Sequence, residues 1–288
     1  MDQPSLVVVG TGIRIIGQMT TESIAWIKAS DKVLYLAHDP VAAEVITGLN
    51  PNAESLAGFY AEGKPRRKSL MEMVEHVMEC VRSGARICLV FYGHPGVFCW
   101  VGHEAIRQAR SAGYKARMLP GVSAQDCLFA DLNLDPGTHG CQMYEATDFL
   151  KYRPKIDPDS LLILWQIGAT GDPLFTTKQY KNSALLLLIK RLCRIYGRDH
   201  EVIVYVAPIH WAGEPLIERM PLGELGKARL SSSSTLCIPP ARASRPEMKV
   251  RKLSKRARAD KASPKPPPRR RKVSAKSGAS GVAESVRR

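Results

Sequence analysis

A chain of 288 residues, 44 % of them hydrophobic, holds enough apolar material for one large or two ordinary domains with a real core. It has no run near the ~20 apolar residues of a membrane helix and no basic, apolar secretory start, so neither a membrane span nor an export signal is expected. Its net charge is +15, and its seven cysteines (80, 88, 99, 127, 141, 193, 237) form no CxxC pair, which argues against a disulfide framework or zinc knuckle and for a reduced, cytoplasmic protein.

LVVVG (6–10) reads as a short strand ending in glycine, and TTESIAWIKASDK places Ile24 and Ile27 on one helical face. KVLYLA (32–37) is a second strand, followed by HDP as a turn. In SLMEMVEHVMECVRSG (69–84), Leu70, Met73, Val74, Val77, Met78 and Val81 recur at three- and four-residue spacing, and Gly84 can cap the helix. RICLVFY (86–92) is a strand leading into GHPGVF. HEAIRQARSAG is a helix closing on Gly113, and YKARML is a strand ending at Pro120. Strands alternating with helices at this rhythm predict an α/β layer with mostly parallel pairing.

After GVSAQDCLFADLNLD the rhythm changes. SLLILWQIG (160–168) and HEVIVYVAP (200–208) read as central strands with ALLLLIKRLCRIYG as a helix between them; PLIERMPLGEL and SSTLCIPP supply a strand–helix–strand finish. The expected organisation is an N-terminal α/β domain over 1–122, a C-terminal α/β domain over 123–240, and a tail over 241–288. That tail holds 17 Lys/Arg against Glu247, Asp260 and Glu284, so it carries +14 of the chain's +15 and leaves residues 1–240 at +1. Its Lys/Arg/Pro-rich composition cannot bury enough surface to offset ordering, and disorder is expected.

GTGIRIIGQMT (10–20) invites a dinucleotide reading, but the third glycine of that fingerprint would have to stand at Ile15. No lysine follows as a P-loop requires, so a tight strand-to-helix turn is the simpler reading. GHPGVF is more pointed. It lies at the C-terminal end of a central strand, where open α/β sheets place their ligand crevices. Gly93 and Gly96 allow close backbone approach and Pro95 stiffens the loop. Physics alone leaves a structural loop and a ligand wall equally open, and PGVSAQD (120–126), a second Gly/Ser turn at the next strand end, favours a site.

VGTGI…GQMT, FYGHPGVF, ARMLPGVSAQDCLFADLNLDPG, YEATDFL, LILWQIG and STLCIPP, in this order, resemble the tetrapyrrole methylase superfamily. More narrowly they resemble the borosin peptide-backbone α-N-methyltransferases, over residues 5 to 240. The resemblance implies an S-adenosylmethionine enzyme with two α/β domains, a cofactor cleft between them, and a homodimer. Carried over residue by residue, cofactor contacts fall on Tyr92, His94, Val97 and Ala124 in the first half. In the second they fall on Gln166, Ala207, Ser234 and Thr235. Taken singly, Gln166 or Ala207 is ordinary strand packing, and the case rests on the set spread over successive strand ends. No metal is implied.

An amide nitrogen is a poor nucleophile until its proton is removed, and a cation helps to hold the charge that develops on the carbonyl oxygen. A tyrosine whose pKa is pulled down by arginine can serve as the base. The resemblance places this machinery in NAESLAGFYAEGKPRRKSLMEM (52–73), with Tyr60 and Arg66 as matches and Tyr92 sharing the proton work. The family's second tyrosine is Leu70 here, and a further aromatic position is Ala57. Leu70 also fits the apolar face of its helix. In fused relatives the methylated peptide is an apolar C-terminal extension. Residues 241–288 offer no such run, so a separate precursor peptide is the expected partner, with no membrane. The basic tail can steer an acidic peptide, contact nucleic acid weakly and non-specifically, or serve only as a solvated linker. The rival readings are a tetrapyrrole C-methyltransferase and a catalytically impaired protein that binds S-adenosylmethionine or peptide.

Overall fold

The computed structural model describes residues 5–37, 39–210 and 212–242; the expectation of a disordered tail, and of its nucleic-acid or peptide contacts, lies outside these residues from 243 onward. Five strands, β1 (Leu6–Gly10), β2 (Lys32–Leu36), β3 (Ala53–Ser55), β4 (Ile87–Phe91) and β5 (Ala116–Met118), form a sheet in the order β3-β2-β4-β1-β5. Every pairing in it is parallel. All residues of the central strands β1 and β4 are buried, as the apolar runs LVVVG and ICLVF require when helices cover both faces.

Alternate residues serve opposite faces. Leu6, Val8 and Leu89 pack with Met73, Val77 and Val81 of α4 (Arg66–Arg82) and with Val101, Ala105 and Ala109 of α5 (Trp100–Ser111). Val7, Val9 and Cys88 pack with Ile15 of the single turn α1 (Ile15–Gln18), Ile27 of α2 (Thr21–Ala29), and Ala42 and Ile46 of α3 (Pro40–Leu49). Of the HDP stretch, read as a turn, Asp39 and Pro40 start α3: the Asp39 carboxylate accepts from the Ala42 N–H at 3.0 Å and Pro40 takes the first helical position. Helix α4 opens three residues earlier than its apolar spacing indicates, so Arg66 sits at its first turn.

The second half contains α6 (Ala124–Asp131), α7 (Pro136–His139), β6 (Cys141–Glu145), α8 (Ala146–Tyr152), β7 (Leu161–Trp165), α9 (Leu185–Tyr196), β8 (Glu201–Val206), β9 (Leu216–Pro221) and β10 (Thr235–Ile238). The sheet runs β6-β7-β10-β8-β9, and only β6–β7 is parallel. The mostly parallel pairing expected of the first layer therefore holds there, while the second sheet is mostly antiparallel. β8 leads on to β9, and the described residues between them hold no helix to carry a parallel crossover.

One face of this sheet packs Leu162, Leu164, Val202 and Leu236 against Phe149, Leu188 and Leu192 of α8 and α9. The other packs Ile163, Trp165, Ile203, Tyr205 and Cys237 against Leu128 of α6 and Ile13. This second cluster ties the second sheet to Ile13, in the loop that leaves β1. No helix among the described residues is long and apolar enough to cross a membrane.

Candidate functional site

Glycine-only contacts hold the ends of β1 and β4 together. The Gly12 N–H donates to the Gly93 carbonyl at 3.3 Å and the Gly93 N–H donates to Gly12 at 2.9 Å. A Cβ placed on Gly10 would lie 2.0 Å from the Gly93 oxygen. The turn that follows is closed by its own side chain: Gln18 Oε1 accepts from the Ile13 and Arg14 N–H groups at 2.9 and 2.8 Å. A phosphate nest needs free amides at this point. Two of them are already used, which supports the plain-turn reading of GTGIRIIGQMT.

In the GHPGVF loop the Gly96 N–H donates to His94 Nδ1 at 2.9 Å. That hydrogen bond makes Nδ1 the acceptor and leaves the proton of neutral His94 on Nε2. Phe98, just beyond, has φ of +51°, and Gln166 at the end of β7 has φ of +57°. Left-handed backbone is rare for such side chains and marks strained segments that their surroundings hold in place. Here the two face one cleft.

The next element is fixed by its cap. Ser123 N–H and Oγ–H both donate to Asp126 Oδ2 at 2.7 Å, and the Asp126 N–H donates back to Ser123 Oγ, a capping box that pins Ala124 at the start of α6. Across the cleft, the Ile167 N–H donates to the Ser234 carbonyl at 3.0 Å. A Cβ on Gly168 would come within 2.0 Å of the Ser231 oxygen.

These ends enclose an open cleft of about 250 Å³. Tyr92, His94 and Val97 line it on the first half, Ala124 at the start of α6, and Gln166 and Thr235 on the second. Ala207 lines a side recess of about 40 Å³ that Tyr92, Ala124 and Thr235 share. Ser234 does not line the cleft. It is 1 % exposed, and its Oγ accepts from the Ser231 N–H at 2.9 Å, while Ser232 and Ser233 line the wall in its place.

Ile13, Ser123, Trp165 and Phe98 also line the cleft without having been singled out in the sequence. Trp165 reads as plain strand core, yet its ring lies 5.5 Å from that of Phe98. Its buried Nε1 has no hydrogen-bond partner, an expensive state for a donor.

Beyond Phe98 and Gln166, which line both spaces, lies a second cavity of about 670 Å³. It brings together Tyr60, Arg66 and Leu70, with Cys99, Trp100 and Pro173 on an apolar side and His103, Glu145, Asp148 and Asp172 as further polar groups. Tyr92 is absent from its lining. Leu70 is both things the sequence allowed, packed against the α4 core and lining the cavity.

The electrostatics reverse one expectation. Burial raises the Tyr60 phenol above its usual value of 10, and the opposing pull of Arg66 is smaller. Tyr92, although 39 % exposed as a residue, is likewise raised by the protein around its phenol. Neither is a tyrosine pulled down by arginine. The Cys99 thiol is pushed up to about 11 by burial, so it is no thiolate nucleophile at neutral pH.

A segment the sequence left unassigned completes this cavity. The Gly63 N–H donates to the Phe175 carbonyl at 2.9 Å, and the Phe175 N–H donates to Lys64 at 2.8 Å. Phe175 stacks on Tyr60 at 4.6 Å and 14°. Arg66 Nη2 donates to the Asp172 carbonyl at 2.7 Å. Residues 171–183 have no periodicity to announce them, and they close over the Tyr60–Arg66 segment through main-chain pairing.

The family model "Tetrapyrrole (Corrin/Porphyrin) Methylases" matches residues 5–226. A methyltransferase/ribosomally synthesized cyclic peptide dendrothelin A precursor of Dendrothele bispora is 43 % identical over 240 residues, covering 82 % of this chain and 58 % of that protein. The corresponding omphalotin A precursor of Omphalotus olearius is 41 % identical with the same coverage of each chain. The chain thus spans about three fifths of the length of the curated relatives it matches. Among solved structures, uroporphyrin-III-C-methyltransferase from Thermus thermophilus matches at TM-score 0.58 and 16 % identity, over 82 % of this chain and 95 % of that one. A cobalt precorrin-4 methyltransferase matches at TM-score 0.56 and 17 % identity, over 82 % and 95 %. At that identity these two establish likeness of fold alone.

Proposed function

The chain belongs to the tetrapyrrole (corrin/porphyrin) methylase family, and on that premise we propose that it is an S-adenosylmethionine-dependent methyltransferase acting on backbone amides of a peptide. The observation that carries the reading is the adjacency of two spaces. The cleft at the strand ends abuts a cavity holding Tyr60 and Arg66, and Phe98 and Gln166 form the shared wall.

The residues present fit the cofactor. It carries no phosphate, and the turn that would have to bind one has spent two amides on Gln18. Gly93 and Ala124 allow close approach, the His94 Nε2–H and the Ser232 and Ser233 hydroxyls suit its polar ends, and the unpartnered Trp165 Nε1 is a donor in the same wall. When bound, S-adenosylmethionine supplies an electrophilic methyl group on a sulfonium centre. Tyr92, His94, Val97, Ala124, Gln166, Ala207 and Thr235 would hold it, with Ser234 supporting the loop that carries Ser232 and Ser233.

The acceptor cavity then has two tasks. The Arg66 guanidinium stabilises negative charge on the peptide carbonyl oxygen as the amide loses its proton. Tyr60 receives that proton. Because burial raises the Tyr60 pKa above its usual value, little of it is phenolate at neutral pH. The expected result is a slow enzyme whose transfer rate climbs roughly tenfold per pH unit from 7 to 9. Tyr60→Phe should flatten that rise and lower the rate at pH 9 about a hundredfold. A pH–rate profile that is already level at neutral pH in wild type would remove Tyr60 from the role.

Leu70→Tyr is expected to raise or preserve transfer, because it adds a phenol beside Tyr60 and Arg66 in a cavity with room for it. If wild type is fully active and this variant is dead by intact mass, the assignment of the proton acceptor is wrong.

The proposed acceptor is a separate precursor peptide. The relatives' names join methyltransferase and precursor in one protein. Residues 241–288, by contrast, scatter their few apolar residues among 17 Lys/Arg and make a poor acceptor themselves. A homodimer in a reducing, cytoplasmic setting belongs to the same reading. Leu186 and Leu187 of α9, 67 % and 60 % exposed, supply apolar surface for association, and light scattering of the purified protein tests it.

A further inference from the structure

We propose that Tyr180 is a positioning residue that fixes the Arg66 guanidinium over the acceptor cavity, an inference that rests on the role given to Arg66 above. Arg66 opens α4, and a helix N-terminus carries partial positive charge that disfavours a cation. Helix stability therefore does not explain an arginine there, and something else must hold it.

Two groups do so, and both come from segment 171–183. The Asp172 carbonyl accepts from Nη2 at 2.7 Å, and the Tyr180 ring lies 5.6 Å from the guanidinium carbon, within cation–π range. The same residue closes the loop that carries Tyr180 back. The Asp172 carboxylate accepts from the Asn182 N–H at 2.6 Å and from Ser183 Oγ at 3.3 Å.

Asn182 Oδ1 in turn accepts from the Thr170 N–H at 3.1 Å, and the Ala184 N–H donates to the Thr170 carbonyl at 3.2 Å. Asp172 is thus the hub: its carbonyl holds Arg66 and its carboxylate holds the far end of the loop. Tyr180 is half-buried and close enough to Tyr60 to add to the rise in its pKa. With one N–H on Asp172 and its face against Tyr180, Arg66 keeps its other donors for a carbonyl oxygen in the cavity.

The test uses the full chain with Tyr180→Ala, Tyr180→Phe and Arg66→Ala. S-adenosylmethionine affinity is measured by calorimetry, kcat and KM on a peptide by mass spectrometry, and trypsin cleavage at the exposed Lys178 and Lys181 by gel. Tyr180→Ala should lower kcat about tenfold, leave cofactor affinity within twofold of wild type, and speed cleavage of the loop to the level of Arg66→Ala. Tyr180→Phe keeps the ring and should restore most of both. Wild-type cleavage in Tyr180→Ala, or equal damage from Ala and Phe, overturns the proposal. Should wild type transfer no methyl group, the functional reading fails, and the cleavage comparison still decides the Tyr180–Arg66 contact.

Discussion

Gly10→Ala is expected to collapse the cleft and unfold the protein at a markedly lower temperature. Its added Cβ would stand 2.0 Å from the Gly93 oxygen, 2.8 Å from Pro95 Cδ and 3.2 Å from the Gly93 carbon. These are backbone and ring atoms with no rotamer to yield. β1 cannot slide away either, because it is paired to β4 along its whole length and to β5 over Leu6–Val8. Overpacking a fixed site costs about 3 kcal/mol or more, which in a domain of this size lowers Tm by about 6–12 °C. Cofactor affinity should fall with it, since Gly93 and His94 form the displaced wall. Gly48→Ala is the control: a Cβ at this α3 position meets nothing within 4 Å, so that variant should be neutral or stabilised by up to about 1 kcal/mol.

Arg66→Ala is expected to abolish transfer while leaving cofactor binding intact. The side chain lines the second cavity and not the first cleft, so its loss removes charge stabilisation in the transition state without touching the cofactor wall. Removing one such group typically costs about a hundred- to a thousandfold in kcat. Arg66→Lys keeps the charge but loses the planar fork that reaches the Asp172 carbonyl and lies against Tyr180, and should recover only part of the rate. A parallel loss of S-adenosylmethionine affinity in Arg66→Ala would merge the two spaces into one and refute the division of labour.

The first sheet was legible because its central strands are continuous apolar runs closed by glycines, and burial on both faces leaves no other solution for LVVVG and ICLVF. The second sheet was half legible. SLLILWQIG, HEVIVYVAP and SSTLCIPP announced strands, but nothing in them encodes direction, and β10 inserts antiparallel between β7 and β8. β6 went unread because its five residues, CQMYE, are all only half-buried. Of the cleft, the loop residues Tyr92, His94 and Val97 came from the family resemblance of FYGHPGVF, and they line the cleft. The serines of the SSSS run could not be told apart, and the cap-like hydrogen bonds of Ser234 decided which of them turns inward. Tyr60 and Arg66 stand close in the sequence and line one cavity, but their electrostatics were not legible: a sequence shows the arginine and not the burial that outweighs it, to which the stacked Phe175 contributes from more than a hundred residues away.

The most direct test is methyl transfer itself. The purified chain is incubated with isotope-labelled S-adenosylmethionine and two candidate acceptors. One is a peptide from the part of the Omphalotus olearius omphalotin A precursor that lies outside the matched region, the other a uroporphyrinogen. Tandem mass spectrometry then locates the label. Label is expected on backbone amide nitrogens of the peptide, rising with pH and absent with Arg66→Ala. Label on the tetrapyrrole alone, or cofactor bound with no transfer to either acceptor, would contradict it.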